Sequence, residues 1–327
     1  MVAVLRKVKT TTLAGLIFLA MMTSGCSIRK LAINSLADAL AGSGDSFASD
    51  EDPELVGAAL PFALKTIESL LQEAPEHQGL LLSACSGFTQ YGYAFVETRA
   101  EEIELDDYLE AERQRERALK LYLRARNYCL SSLELDHPGI GSRLRRDPEE
   151  AAAELEASEI ELIYWTAASW GSAISVGIHR LEIVADVTAV QALMARALAI
   201  DEGYSDGAVH EALIALEALP ETMGGSPERA RRHHERAVEL SAGNSASPYV
   251  SLASSIAVSE QNRREFVELL EKALAVDPDH EPSRRLANLV AQRRAELLLG
   301  RADELFLEPL EEEAQDMDTE PSQDSPR

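Results

Sequence analysis

The chain is short of cysteine, of aromatic residues and of positive charge. Three cysteines stand in 327 residues, aromatics make up 5%, and 31 Lys and Arg face 56 Asp and Glu, for a formal charge of -25. Such an acidic balance cannot neutralise phosphates, which excludes nucleic acid and anionic lipid surfaces as partners. No G-x-S-x-G, H-E-x-x-H or C-x-x-C occurs, so no catalytic residue, metal site or cofactor is expected, and the chain does not read as an enzyme. Past the N-terminus, no uncharged apolar run with membrane character reaches the roughly 18 residues of a membrane span.

What the N-terminus does contain is an export pattern. Arg6, Lys7 and Lys9 precede an uncharged run from Thr10 to Met22, followed by Thr23-Ser24-Gly25-Cys26. A basic region, a short apolar region and a small-residue cleavage site make residues 1–25 a signal peptide. A cysteine at the cleavage point resembles a bacterial lipobox, which makes Cys26 the expected lipid attachment site; Thr23 stands where Leu, Val or Ile is usual. Ser27, and not Asp, follows Cys26, which favours the outer membrane. Residues 26–52 then read as anchor, short amphipathic helix (Ile33, Leu36, Leu40) and Gly/Ser/Asp hinge. Cys85 and Cys129 sit among apolar helical neighbours and are expected as buried free thiols.

Residues 53–307 read as helical almost throughout. Asp52-Pro53-Glu54, Asp147-Pro148-Glu149-Glu150 and Ser226-Pro227-Glu228 each supply an N-cap acceptor, proline at the first helical position and acid in the first turn. Asp147 with Glu150 also reads as a capping box. A repeat recurs within this helical region. Ala273-Leu274, Ala197-Leu198 and Ser132-Leu133 each precede an aspartate by a few residues. Three and seven positions back stand Leu270 and Phe266, Met194 and Val190, Cys129 and Ala125; Ala237 adds His234 and Ala230. This is the pattern of the second helix of a tetratricopeptide (TPR) repeat of about 34 residues. A single helix pair cannot bury its apolar face, so stacked pairs with capping ends follow. The fold class is therefore all-α, a TPR-like solenoid, closed by an amphipathic helix over 284–299. Residues 308–327 form an acidic tail without apolar periodicity, expected to be disordered.

Two helical stretches carry no charge: Leu80–Val96 and Leu162–Ile178. A helix apolar on every side is covered by several neighbours or lines a cavity. The residues that would line a hydrophobic channel are Phe88, Tyr91, Tyr93, Phe95, Tyr164, Trp165 and Trp170. Core and channel readings both stand at this point. Other features read as structure. His233 and His234 diverge by about 100° on a helix, Met223-Gly224-Gly225 supplies turn glycines, and the carboxylates lie on solvated faces beside Arg. Arg143, Arg145 and Arg146 form one basic patch able to dock an acidic partner.

Several stretches in order resemble the TatT family: Asp52–Lys65, Phe88–Phe95, Tyr164–Gly171, Leu219–Ala230 and Ser247–Val250. Its members are periplasmic TPR lipoproteins, the T component of tripartite ATP-independent periplasmic (TRAP) transporters, and the resemblance covers roughly residues 26–305. It implies an all-helical fold with a lipid anchor, a homotrimer, association with the periplasmic solute-binding (P) component, and a hydrophobic channel through the protomer. The leading functional expectation is an accessory lipoprotein that binds the P component and passes a hydrophobic small molecule, an organic acid, touching the membrane by its anchor alone. The alternative is an outer-membrane TPR lipoprotein that scaffolds envelope proteins and takes no small molecule.

Overall fold

The computed structural model describes residues 44–307, which contain helices and turns and, among them, no strand. Cys26, the signal segment, the helix expected over 27–41 and the tail over 308–327 lie outside the described residues. In order come α1 (Gly44–Ala48), α2 (Pro53–Glu73), α3 (Gln78–Tyr91) running into a π-helical segment (Gly92–Glu97), α4 (Thr98–Ile103) and α5 (Tyr108–Asp136). Then follow α6 (Ile140–Arg146), α7 (Pro148–Ala153), α8 (Ile160–Val176), α9 (Leu181–Val184), α10 (Val187–Ile200), α11 (Ala208–Glu217) and α12 (Pro227–Leu240). The chain closes with α13 (Ser247–Leu252), a second π-helical segment (Ala253–Ala257), α14 (Arg263–Leu274), α15 (Arg285–Gly300) and α16 (Ala302–Leu305).

Cap chemistry sets several of these starts. The Asp52 carboxylate accepts from the Glu54 and Leu55 amides, both at 3.0 Å, and Ser226 Oγ accepts from Arg229 N at 3.3 Å. Asp147 departs from expectation. Its side chain makes no cap bond and accepts instead from Arg146 Nε at 2.8 Å, because a neighbouring guanidinium competes better for a carboxylate than an amide does. Gly225 permits a close approach: a Cβ there would stand 1.7 Å from the Leu219 carbonyl oxygen, and Gly224 takes φ +89. Part of the expected hinge is helical, since α1 packs on α15 and the Ser49 carbonyl accepts from Arg285 at 3.0 Å.

The repeat positions form the core. Phe266, Leu270 and Ala273, Val190, Met194 and Ala197, and Ala125, Cys129 and Ser132 are all buried. Helices pack mainly on chain neighbours: α2 on α3, α3 on α5, α5 and α10 on α8, α11 on α12, α13 on α14, α14 on α15. This local stacking is what a repeat with one apolar face requires.

Cys85 and Cys129 are not free thiols. They form a disulfide, with Cα atoms 5.4 Å apart, that joins α3 to α5. Both residues are fully buried, and the packing of α3 on α5 sets one against the other. Burial was legible in the apolar neighbours; apposition was not.

Leu181–Ile200 has a mean hydropathy of 1.6 and is long and apolar enough to cross a membrane by length and composition. It is two helices broken at Ala185-Asp186, and Val187, Val190, Leu193, Met194 and Ala197 of it lie in the core.

The closing helix does more than cap. α15 returns to the N-terminal part of the chain, packing on α1 and α2. A ladder of ion pairs then binds this C-terminal region to α4 and its end: Arg293–Glu102 at 2.7 Å, Arg294–Glu101 at 2.7 Å and Arg301–Glu104 at 3.1 Å. The stacked helices thereby turn back on themselves.

Candidate functional site

The seven sequence-predicted aromatics separate into three settings. Trp170 and Phe88 are buried in the hydrophobic core, at 0% and 3% exposure. Trp170 Nε1–H donates to Asp186 Oδ2 at 3.2 Å, and the guanidiniums of Arg126 and Arg145 lie 5.2 and 5.0 Å from its ring. A helix with neighbours on several sides buries large rings in any of those contacts, which is why a charge-free stretch could not mark Trp170 as core. Phe88 stacks on Tyr128 at 6.0 Å.

Tyr91 and Phe95 form a second setting, 5.8 Å apart. Phe95 lies against Gly57 of α2, where a Cβ would come within 2.7 Å of its ring. The Tyr91 hydroxyl accepts from exposed Arg117 at 3.0 Å.

Tyr93, Tyr164 and Trp165 belong to a third. The π-helical turn at Gly92–Glu97 shifts the register of the helix, a distortion frequent at functional sites. Gly92 lets the Tyr122 ring close in, since a Cβ would stand 2.8 Å from it. The turn carries Tyr93 to Arg294, which donates to its hydroxyl at 2.9 Å, and carries Glu97 to the hydroxyl of Tyr122. Arg294 also donates to both oxygens of Glu101, at 3.0 and 2.7 Å. Tyr164 meets Trp165 edge-on at 5.1 Å and Tyr204 at 5.3 Å. Glu211 of α11 lies close enough that its charge adds to burial in raising the pKa of both Tyr93 and Tyr164.

These side chains come from α4, α5, α8, α11, α15, the first π-helical segment and the 3-10 turn Tyr204–Asp206, yet they gather in one interior region. Tyr93, Glu97, Glu101, Tyr164, Tyr204, Glu211 and Arg294 are all half-buried. Desolvation nevertheless dominates Tyr93, Glu97, Tyr164, Tyr204 and Glu211. Burial pushes Glu211 up to about 7, with Arg284 and a hydrogen bond from Ser247 opposing it. Burial, then the charge of Glu101, raises Glu97. Burial raises Tyr93, Tyr122, Tyr164 and Tyr204 as well. Burial works against the charge of Arg294, and its acidic and phenolic neighbours more than offset it.

Glu97, Glu101, Tyr122, Tyr204, Glu211 and Arg294 were not singled out in the sequence. Glu211 had a signal, as an acid set between the apolar residues Val209 and Ala212–Leu216 of α11. Arg294 had none, since it reads as one of many Arg on a solvated face.

The family model of the TRAP transporter T-component matches residues 49–306. The chain belongs to that family. A protein of Treponema pallidum (strain Nichols), described as uncharacterized, is 29% identical over 307 residues, covering 88% of this chain and 95% of the relative. A T-component is an accessory part of a TRAP transporter, and the family is not one of enzymes. As a T-component, the chain associates with other components of such a transporter. The remaining features that the sequence offered are accounted for within the T-component fold. Arg143, Arg145 and Arg146 pair with Glu154, Asp186 and Asp147. His233 Nδ1 meets His210 Nδ1 at 2.8 Å, whereas His234 Nδ1 reaches the Pro248 carbonyl at 3.1 Å, so the two adjacent rings diverge.

Proposed function

We propose that this T-component is a periplasmic lipoprotein, anchored through Cys26 to the outer membrane, that binds the solute-binding P component of its transporter. Its interior receives an apolar small molecule from that partner or delivers one to it, and the protein works as a homotrimer. The observation that carries the small-molecule reading is the interior region around Tyr93, Tyr164, Tyr204 and Glu211. Side chains distant in the chain meet there, desolvated by burial yet each only half-buried. A tightly packed core would seal such groups. The lining is therefore narrower than the seven aromatics: Tyr93, Tyr164 and Trp165 remain in it, Tyr91 and Phe95 border it, and Phe88 and Trp170 leave it.

Copurification with the cognate P component tests the partner. Association at micromolar concentration is the expected result, and sedimentation of the purified protein is expected to give the mass of a trimer. Mass spectrometry of the mature N-terminus is expected to show an acylated Cys26. The scaffold reading, without ligand, draws support from the burial of Phe88 and Trp170. It prevails if the P component does not bind and no apolar ligand is taken up.

A further inference from the structure

The basic patch that the sequence offered, Arg143, Arg145 and Arg146, is neutralised by carboxylates of its own chain. A second one is not. Arg113, Arg117, Lys120 and Arg124 recur at i, i+4, i+7 and i+11 along α5, which sets them in one row on the side away from the buried Ala111, Ala118, Tyr122 and Ala125. All four are exposed, and Arg180, exposed between α8 and α9, joins them through Glu116. Carboxylates are too few to match these cations. Glu116 is shared by Arg180 and by Lys120 at 3.5 Å, and Glu68 of α2 is shared by Lys65 and by Arg124 at 3.6 Å. Arg113 pairs with Glu110 at 2.6 Å. Arg117 has no carboxylate among the described residues and donates to the Tyr91 hydroxyl at 3.0 Å and to Gln114 Oε1 at 3.4 Å. Exposed pairs of this kind hold their partners weakly. In a chain of formal charge -25, the row is a local surplus of positive charge.

Beside the row lies an open groove of about 430 Å³, lined by Lys120, Leu123, Arg124, Asn127, Tyr128 and Ser131 and by no carboxylate. Two guanidiniums of the row rest on rings, Arg117 5.6 Å from Tyr91 and Arg124 5.2 Å from Phe88. Stacking fixes a guanidinium plane and leaves its edge N–H groups free for an incoming carboxylate. We infer that this face of α5 docks an acidic protein surface, clustered Asp and Glu around an apolar side chain that enters the groove beside Leu123, and that this surface belongs to the P component. The inference rests on the proposal that the chain binds that component, and it names the face and the charge of the contact. The chain's own acidic tail follows from the other side of α5. Glu104 joins Arg301, near the last described residue, to Arg115 at 3.1 and 2.6 Å, and Arg115 projects about 200° around the helix from Arg113.

Such a contact acts first on association. Opposite charges steer two surfaces together and fix their register, and salt screens the attraction. A second copy of this chain, as acidic as the first, is repelled at long range. The row therefore sets the rate and the salt dependence of docking.

The test is biolayer interferometry of the full mature chain, in nonionic detergent, over immobilised cognate P component. The parent is expected to bind about fivefold more weakly in 300 mM than in 50 mM NaCl. Arg117→Glu with Lys120→Glu should lower its affinity about tenfold or more at the lower salt. Arg263→Glu with Arg264→Glu makes the same change of net charge at exposed positions of α14 and should lower it less than about threefold. Lys120→Glu alone, at a side chain 72% exposed, separates docking from folding: it should melt like the parent and bind about threefold more weakly. Equal losses in the two double variants overturn the docking face and reduce the effect to overall charge. Unchanged affinity of the α5 variants also overturns it and leaves the P-component reading standing; a fall in their sedimenting mass would then assign the face to another copy. A tenfold gain on removal of residues 308–327, seen in the parent but not in Arg117→Glu with Lys120→Glu, would make the tail the occupant of the row and overturn the assignment to the P component. No binding of the parent at micromolar concentration removes both this inference and the reading beneath it.

Discussion

Arg294 grips both carboxylate oxygens of Glu101 at 3.0 and 2.7 Å, although 193 residues of chain separate them. The same guanidinium holds the Tyr93 hydroxyl, so one side chain joins the last long helix to the first third of the molecule and to its interior. Both partners are mostly buried, at 17% and 21% side-chain exposure. Arg294→Met should cost about 3 kcal/mol, since it strands a carboxylate and a phenol away from water. Urea melts would measure this, and Glu101→Gln in the Arg294→Met background should recover part of the loss. A full-size effect of Glu101→Gln in that background would mean that the two residues are not coupled.

The disulfide gives a second expectation. Cys85 and Cys129 enclose a loop of 44 residues, for which the chain-entropy relation gives about 4 kcal/mol of stabilisation. Reduction in mild denaturant should lower the melting temperature, and a Cys85→Ala, Cys129→Ala double variant should melt at the same reduced temperature with or without reductant. Insensitivity of the parent protein to reductant would show that the bond does not form. A bond of this kind also suits an oxidising compartment.

Glu211 predicts a pH dependence. Its pKa rises from an ordinary 4.5 to about 7 on folding, so the folded chain holds this proton more tightly than the unfolded one. The stabilisation is fully present below about 4.5 and is lost as pH rises through about 7, a difference on the order of 3 kcal/mol. Burial lowers His210 and His233, which act in the opposite sense: their stabilisation is present above about 6.5 and is lost as pH falls. Comparison with Glu211→Gln isolates the carboxyl. The variant should match the parent near pH 4.5 and exceed it at pH 8 in thermal melts.

Trp170 separates core from lining. Removal of its Nε1–H in Trp170→Phe deprives Asp186 of one of its donors, Arg145 remaining at 3.1 Å, and should cost about 1–2 kcal/mol. Trp170→Ala should cost about 3–5 kcal/mol through the cavity left behind. Neither variant, where folded, should change uptake of a small molecule. A folded Trp170→Phe protein with binding lost would return Trp170 to the lining.

Much of the helical frame was legible because helices announce themselves locally. Asp52-Pro53 and Ser226-Pro227 start helices through contacts within one turn, and the repeat residues Phe266, Leu270 and Ala273 declare a buried stripe by their spacing alone. Whether Phe88 and Trp170 face the core or a lining was not legible, because a charge-free helix shows no difference between a face against a neighbour and a face against a cavity. Asp147 failed as a cap because its competitor, Arg146, acts through a side-chain conformation that spacing does not encode.

The sequence by itself determined the all-helical class, the positions of the buried stripes, and the family, since periodicity, capping and motif order are local properties of the chain. Only the tertiary structure decided that Cys85 meets Cys129, that Arg294 meets Glu101, and that Tyr164, Tyr204 and Glu211 share one interior region. Each of those pairings depends on how stacked helices turn back on themselves, and that geometry accumulates over the whole length of the chain.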